Sequence, residues 1–193
     1  MIVYIDRQHA GKPHKPSDLG AGVDLNGDGR ITPAEQEAIW TGRIAIELEI
    51  CLRDRGVLVM PISDGSYGAR HKRVNEYSQT YGGKQVYLAM HLNAGGGDYG
   101  AMFYDYRSTK GKHLAQCISS ELQPLLEITQ KQIPAKPDDW TRAAYGTIKG
   151  VQLPVAICVE PIFVDSHKRF LSQSGIMQIA RGLAEGLLKW KNT

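Results

Sequence analysis

Short apolar runs alternate with longer amphipathic segments, and this pattern predicts the order of strands and helices. The short runs predict strands at residues 2–5, 57–60, 86–90, 100–104 and 155–159. The longer segments predict helices at residues 33–55, 69–80, 110–126 and 172–190. The first helix shows an apparent apolar stripe of Ile39, Ile46 and Ile50, and Gly56 is expected to end it. Glycine, proline and charged residues predict loops at residues 7–23, 61–68 and 127–150.

Alternating strands and helices predict an α/β fold with a mostly parallel or mixed central sheet and helices on both faces. The 193 residues fit one domain, and no stretch resembles an interdomain linker. The formal charge of +3 is too small to indicate nucleic-acid binding, although it suits an anionic polymer such as a bacterial cell wall. Three cysteines without metal-binding spacing are expected to be free thiols.

The segment DLNGDGRITPAEQE, residues 24–37, matches the calcium-loop template D-x-[DN]-x-[DN]-G-x5-E. Its expected calcium ligands are Asp24, Asn26, Asp28, the Arg30 carbonyl and Glu35. The alternative interpretation is a simple turn before a helix, with Thr32 as N-cap and Glu35 completing a capping box. Both interpretations are compatible, because the last ligand of such a loop also begins the following helix.

Three apolar strands end close to a titratable residue, namely His9, His91 and Glu160. Parallel strands would bring these residues to one edge of the sheet, where α/β proteins place their sites. Glu37, near the start of a helix packed on that sheet, could join them. Two histidines and one carboxylate suit a catalytic zinc site, and a second carboxylate suits its general base. Taken one at a time, such residues more often have a structural role.

Several motifs resemble the zinc-dependent N-acetylmuramoyl-L-alanine amidases of the amidase type 3 family. DRQHAG at residues 6–11 stands in place of the family's D-x-G-H-G-G, and DLGA at 18–21 is similar to D-P-G-A. AMHLNA at 89–94 resembles S-x-H-x-N-A, and EPIF at 160–163 resembles E-x-x-F. The segment 37–56 has the length of the helix that begins with the family's zinc-binding glutamate, and residues 70–75 resemble R-x-x-x-A-N.

The resemblance implies zinc on His9, Glu37 and His91, with Glu160 as catalytic acid and base. It also implies hydrolysis of the amide between N-acetylmuramic acid and L-alanine in peptidoglycan. Two features depart from the family. Bulkier residues surround His9, and the calcium-type loop at 24–35 resembles an insertion before Glu37.

Asn93, Trp140 and Arg142 are candidate substrate-binding residues. Asn93 could instead hold the turn after His91. A tryptophan could stack on a sugar, and an arginine could bind a carboxylate. Two rival functions remain open, a calcium-dependent wall-binding module without turnover and a zinc peptidase acting on another peptidoglycan amide.

The N-terminal segment lacks the features of a signal peptide, and no apolar run reaches the roughly 20 residues that cross a membrane. We therefore expect a monomer made in the cytoplasm that acts on the cell wall, as a phage lysin does after a membrane lesion. A bacterial enzyme of wall recycling, or one exported by a partner, is the alternative origin.

Overall fold

The apolar runs form the strands of a central sheet in the computed structural model, which describes residues 1–9 and 18–193. In chain order the strands are β1 (Ile2–Arg7), β2 (Leu58–Ile62), β3 (Gln85–Met90), β4 (Tyr99–Asp105), β5 (Thr129–Ala135) and β6 (Ala156–Glu160). The α-helices are α1 (Glu37–Arg53), α2 (Tyr67–Thr80), α3 (Thr109–Leu126), α4 (Arg142–Ile148) and α5 (Gln173–Lys191). Short 3₁₀ helices at Pro33–Glu35 and Lys168–Leu171 precede α1 and α5.

The strand order is β2-β1-β3-β6-β4-β5. The first four of these strands are parallel, β4 runs antiparallel to β6, and β5 is parallel to β4. The prediction of a mixed sheet is therefore confirmed. The carboxyl ends of β1, β3 and β6 lie at one edge, where β4 begins.

The central strands are buried on both faces, so each face packs against its own layer of helices. One core contains Leu48 of α1, Leu122 of α3 and Leu183 of α5. The opposite core contains Val74 of α2 and Ile148 of α4. Helices therefore cover both faces, as predicted, and none in the described part of the chain is long and apolar enough to span a bilayer.

The prediction for the first helix was wrong in its start and in its buried face. Gln36 is extended, with φ −116° and ψ 154°, so α1 begins at Glu37 and not at residue 33. The predicted stripe faces solvent, with exposed fractions of 43% for Ile39, 50% for Ile46 and 49% for Ile50. The buried face has the same helical spacing in another phase and contains Glu37, Thr41, Ile44, Leu48 and Leu52. The position of Glu37 at the sheet edge sets that phase.

Two predicted loops contain regular structure. Residues 127–150 include β5 and α4, and Pro61 and Ile62 belong to β2. Proline is tolerated at these places because β2 and β5, which contains Pro134, are the two edge strands. The predicted helix end is confirmed. Gly56 has φ +68°. Its N–H donates to the Arg53 carbonyl, and the Val57 N–H donates to the Leu52 carbonyl.

Candidate active site

His9, Glu37 and His91 converge at the carboxyl edge of the sheet. His9 follows β1, His91 follows β3, and Glu37 is the first residue of α1. One ligand atom from each residue lies within 4.8 Å of the others. Glu37 Oε1 is 3.0 Å from His91 Nδ1, and Glu37 Oε2 is 3.4 Å from His9 Nε2. The predicted set of three residues is therefore assembled.

Backbone donors fix the Glu37 carboxylate, which is only 3% exposed. Its Oε1 accepts the Leu92 N–H at 2.9 Å, and its Oε2 accepts the Ala21 N–H at 3.1 Å. Burial raises the pKa of Glu37, but the hydrogen bond and charge of His91, the charge of His9 and the Leu92 N–H outweigh it. The net pKa is below the usual value, so Glu37 is a carboxylate ready to bind a cation.

The DLGA segment orients His9. Asp18 Oδ1 lies 2.8 Å from His9 Nδ1, leaving Nε2 directed toward Glu37. A carboxylate on the second nitrogen is the usual partner of a metal-binding histidine. Gly20 has φ +79°, and a Cβ there would lie 2.5 Å from Glu37 Oε2 and 2.9 Å from the His9 ring. Only glycine therefore fits between these two side chains.

A buried polar network supports the end of β1. Arg70 of α2 donates to Asp6 Oδ1 at 2.6 Å and to the Arg7 carbonyl at 3.1 Å. The Tyr87 hydroxyl donates to Asp6 Oδ2 at 2.5 Å. Asp6 and Arg70 are completely buried, so the network ties α2 and β3 to the segment that presents His9. His9 itself has φ +61°, an uncommon conformation that needs such support.

The three residues fit a metal ion. His9 Nε2 and His91 Nδ1 both face the Glu37 carboxylate, so a cation between them would meet three ligand atoms. Two imidazoles and a carboxylate, with a position left for water, are the donor set of catalytic zinc sites. Among the described histidines, cysteines, aspartates and glutamates, these three residues form the group that is close enough together to bind one metal ion.

Glu160 is the last residue of β6 and lies beside the cluster. Val159 pairs with Met90, so Glu160 is level with His91 on the neighbouring strand. Burial raises the pKa of Glu160 to about 7; His91 opposes this increase and the negative charge of Glu37 adds to it. A carboxyl group with a pKa near neutrality can both accept and donate a proton.

The segments after His91 and Glu160 are joined to each other. Asn93 donates its N–H to the Ile162 carbonyl at 2.9 Å and accepts the Val164 N–H at 2.8 Å. Asp165 Oδ2 accepts the N–H groups of Gly95 and Gly96, each at 2.8 Å. These hydrogen bonds fix the spacing between His91 and Glu160.

Asn93 makes a side-chain contact within the turn after His91, and its predicted substrate contact stays a prediction. Its Oδ1 accepts the Ala94 N–H at 2.8 Å and so holds the turn. Trp140 is 70% exposed and packs edge-on against Phe103, with ring centroids 6.0 Å apart. Arg142 is exposed at the start of α4. Trp140 and Arg142 are thus accessible, and their predicted substrate contacts stay predictions.

The calcium-type loop is closed by its own hydrogen bonds. Asp24 accepts the N–H groups of Gly27 at 2.7 Å and Gly29 at 2.8 Å. Glu35 Oε1 accepts the Leu25 N–H at 2.9 Å, and its Oε2 accepts the Thr32 N–H at 3.0 Å. Glu35 therefore completes the predicted capping box, but on the 3₁₀ helix Pro33–Glu35 and not on α1, and calcium binding stays a prediction.

Sequence reasoning missed the roles of Asp18, Asp165 and Tyr67. Asp18 was noticed only as part of a motif, although a carboxylate nine residues after a candidate histidine ligand is a usable signal. Tyr67 lies near Asp18 and Asp6, and burial together with nearby Cys158 and these carboxylates raises its pKa to about 12. No sequence pattern indicates the contacts of Asp165 or Tyr67, because they depend on the packing of loops.

Solved structures with the same fold include several peptidoglycan amidases. Cwp6 from Clostridium difficile superposes with a TM-score of 0.79 at 21% identity, over 97% of this chain but 29% of its own length. An N-acetylmuramoyl-L-alanine amidase from Clostridium difficile 630 gives 0.74 at 21% identity, over 100% of this chain and 97% of its own. The catalytic domain of the CD27L endolysin, which targets Clostridium difficile, gives 0.72 at 19% identity, over 98% and 97%.

No family profile and no curated protein sequence matches the chain. At these identities the structural likeness establishes the fold, and the conserved shape extends over nearly the whole chain.

Proposed function

We propose that this protein is a zinc-dependent N-acetylmuramoyl-L-alanine amidase that cleaves bacterial peptidoglycan. The observation that carries the proposal is the convergence of His9, Glu37 and His91 beside Glu160. The shared fold supports it, because the solved structures with this fold include an N-acetylmuramoyl-L-alanine amidase and an endolysin catalytic domain.

His9, Glu37 and His91 would hold the metal. When bound there, zinc would acidify a water molecule and polarise the carbonyl of the scissile amide. Asp18 orients the His9 ring, and the N–H groups of Leu92 and Ala21 fix the two oxygens of Glu37. These contacts keep the ligand set assembled before substrate arrives, which lowers the reorganisation required during reaction.

Glu160 would transfer the proton. Its carboxylate accepts a proton from the attacking water as the water oxygen bonds to the amide carbon. When the carbon–nitrogen bond breaks, Glu160 returns that proton to the nitrogen of the departing L-alanine. The pKa of about 7 suits both steps. A bound cation would lower this pKa, which favours the form that accepts the proton.

Asn93, Trp140 and Arg142 are proposed to contact the substrate. The side-chain N–H groups of Asn93 make no hydrogen bond within the described residues, so they remain available to a substrate carbonyl. The exposed Trp140 ring is suited to stack on a sugar, and the Arg142 guanidinium is suited to bind a carboxylate. The enzyme would act on the cell wall, and its origin from a phage stays a prediction.

Product analysis of digested peptidoglycan tests the reaction. Purified walls are incubated with the protein or with the Glu160→Gln variant, and the fragments are analysed by mass spectrometry. The proposal expects new L-alanine amino termini with the parent protein only. New amino termini on other residues would favour a zinc peptidase. Binding to walls without any cleavage would favour the binding module and reject the proposed reaction.

A further inference from the structure

The sheet face that bears Glu160 continues past β6 onto β4 and β5. Ala101 of β4 pairs with Glu160 on one side and with Lys131 of β5 on the other, so the three side chains form one row. Neighbouring strands lie about 4.8 Å apart, which places the backbones of Lys131 and Glu160 about 10 Å from each other. A lysine therefore lies one small residue away from the proposed acid–base carboxylate.

The ammonium group of Lys131 is positioned by an aromatic ring. Its Nζ lies 3.6 Å from the centroid of the Tyr99 ring, which itself packs on Phe163 with centroids 5.1 Å apart. Lys131 is exposed, and no acidic side chain among the described residues lies within ion-pair distance of it. The ring holds the cation in place without neutralising its charge.

The next row on this face reaches the protein surface at its β5 end. Phe103 pairs with Ile133 of β5, which is half-buried, and the exposed Trp140 ring packs beside Phe103. Ala101 has no exposed surface because neighbouring side chains already cover it, so a ligand would reach Lys131 by lying over those side chains. A peptide lying over the row from Glu160 toward β5 would reach the Lys131 ammonium.

We propose that Lys131 determines specificity by binding a carboxylate on the peptide part of the substrate while the scissile amide lies at Glu160. The inference rests on the proposed function and names one part of its substrate. An extended chain advances about 3.3 Å per residue, so the recognised carboxylate lies within about three residues of the scissile bond. A stem peptide with a carboxamide at that place keeps the shape and loses the charge.

Binding measurements separate this inference from catalysis. The Glu160→Gln protein is titrated calorimetrically with an N-acetylmuramoyl tripeptide bearing free carboxylates and with its carboxamide analogue. Because Lys131 is exposed, we expect about fivefold tighter binding of the carboxylate form at low ionic strength. Adding Lys131→Met should abolish the preference. Adding Lys110→Met should preserve the preference, since Lys110 is an exposed lysine in α3, near the ends of the strands that lie away from Glu160.

Equal affinity for the two ligands, no binding of either, or a preference that survives Lys131→Met would overturn the inference. Turnover by the parent protein is measured separately with both ligands. Hydrolysis without any preference would reject the role of Lys131 alone. A Lys131-dependent preference without hydrolysis would reject the proposed reaction and support the binding role.

Discussion

The loop at residues 24–35 and the cluster at the sheet edge contain similar residue types but are built in different ways. Glu35 and Glu37 are two residues apart and both are buried. Glu35 accepts hydrogen bonds from Leu25 and Thr32 within its own loop. Glu37 contacts His9 and His91, which come from the ends of two different strands. The extended Gln36 between them ends one unit and begins the other.

This contrast separates local from assembled chemistry. Most hydrogen bonds of the loop come from neighbours in sequence, and Lys168 adds one from a distance by donating to the Asp24 carbonyl at 3.0 Å. The cluster exists only when β1, β3 and α1 are packed together, because its histidines follow two different strands and its glutamate begins the helix. Substitutions in the cluster should therefore change chemistry, whereas substitutions in the loop should change stability.

The largest effect is expected for Glu160→Gln. A positioned acid–base group contributes about 10²–10⁴ in rate, so amide hydrolysis should fall by about that factor. The measurement is the initial rate of L-alanine amino-terminus release from purified walls. Glu76→Gln on the exposed face of α2 serves as the control and should keep the parent rate. Parent-like activity of Glu160→Gln would remove this residue from the mechanism.

Breaking the support beneath the cluster should have the next largest effect. Arg70→Met leaves Asp6 as a buried charge without its ion-pair partner, which costs about 3–5 kcal/mol in the free energy of unfolding. Chemical denaturation measures the loss. Arg73→Met on the same helix removes one hydrogen bond to the Ser63 carbonyl and should cost less. If the two variants are equally stable, the Asp6 network does not support β1.

The pH dependence of stability tests the surroundings of Glu160 in the metal-free protein. Its pKa is about 7 in the folded protein, against an ordinary value of 4.5. The folded state therefore keeps a proton that the unfolded chain loses, and stability falls as the pH rises from about 4.5 to about 7. A difference of about 2.5 in pKa corresponds to at most about 3 kcal/mol.

Glu160→Gln should remove that decrease. This expectation is checked by chemical denaturation of the chelator-treated parent and variant at about pH 4 and about pH 8. The variant should be more stable than the parent only at the higher pH. An equal difference at both pH values would contradict the raised pKa.

The smallest effect is expected in the loop. Asp24→Ala removes the acceptor of the Gly27 and Gly29 N–H groups and should lower Tm by a few degrees without reducing the rate of hydrolysis. If the loop binds calcium, the ion should raise the Tm of the parent and not that of the variant, since a ligand of the folded state stabilises it. A parent Tm that does not respond to calcium would identify the loop as a turn only.

The sequence predicted those features that depend on local pattern. The strand ends at His9, His91 and Glu160, the end of α1 at Gly56 and the capping role of Glu35 were all found from neighbouring residues. The buried face of α1 was not. Its sequence offers two apolar stripes, and only the packing of Glu37 at the sheet edge selects one of them.

Other features were hidden because their evidence lies far away in sequence. β5 contains Pro134 and α4 is a short helix containing Gly146, so both resembled a loop; Pro134 is tolerated because β5 is an edge strand. Asp18 and Asp165 became recognisable only when His9 and the glycines after His91 were placed beside them.

Metal content of the parent, Glu37→Gln and Glu35→Gln proteins tests the central claim most directly. The three proteins are purified identically, dialysed against zinc and analysed by mass spectrometry for bound metal. We expect about one zinc per chain in the parent and in Glu35→Gln, and a large loss in Glu37→Gln, because only Glu37 faces the two histidines. Equal zinc in all three proteins, or a selective loss in Glu35→Gln, would contradict it.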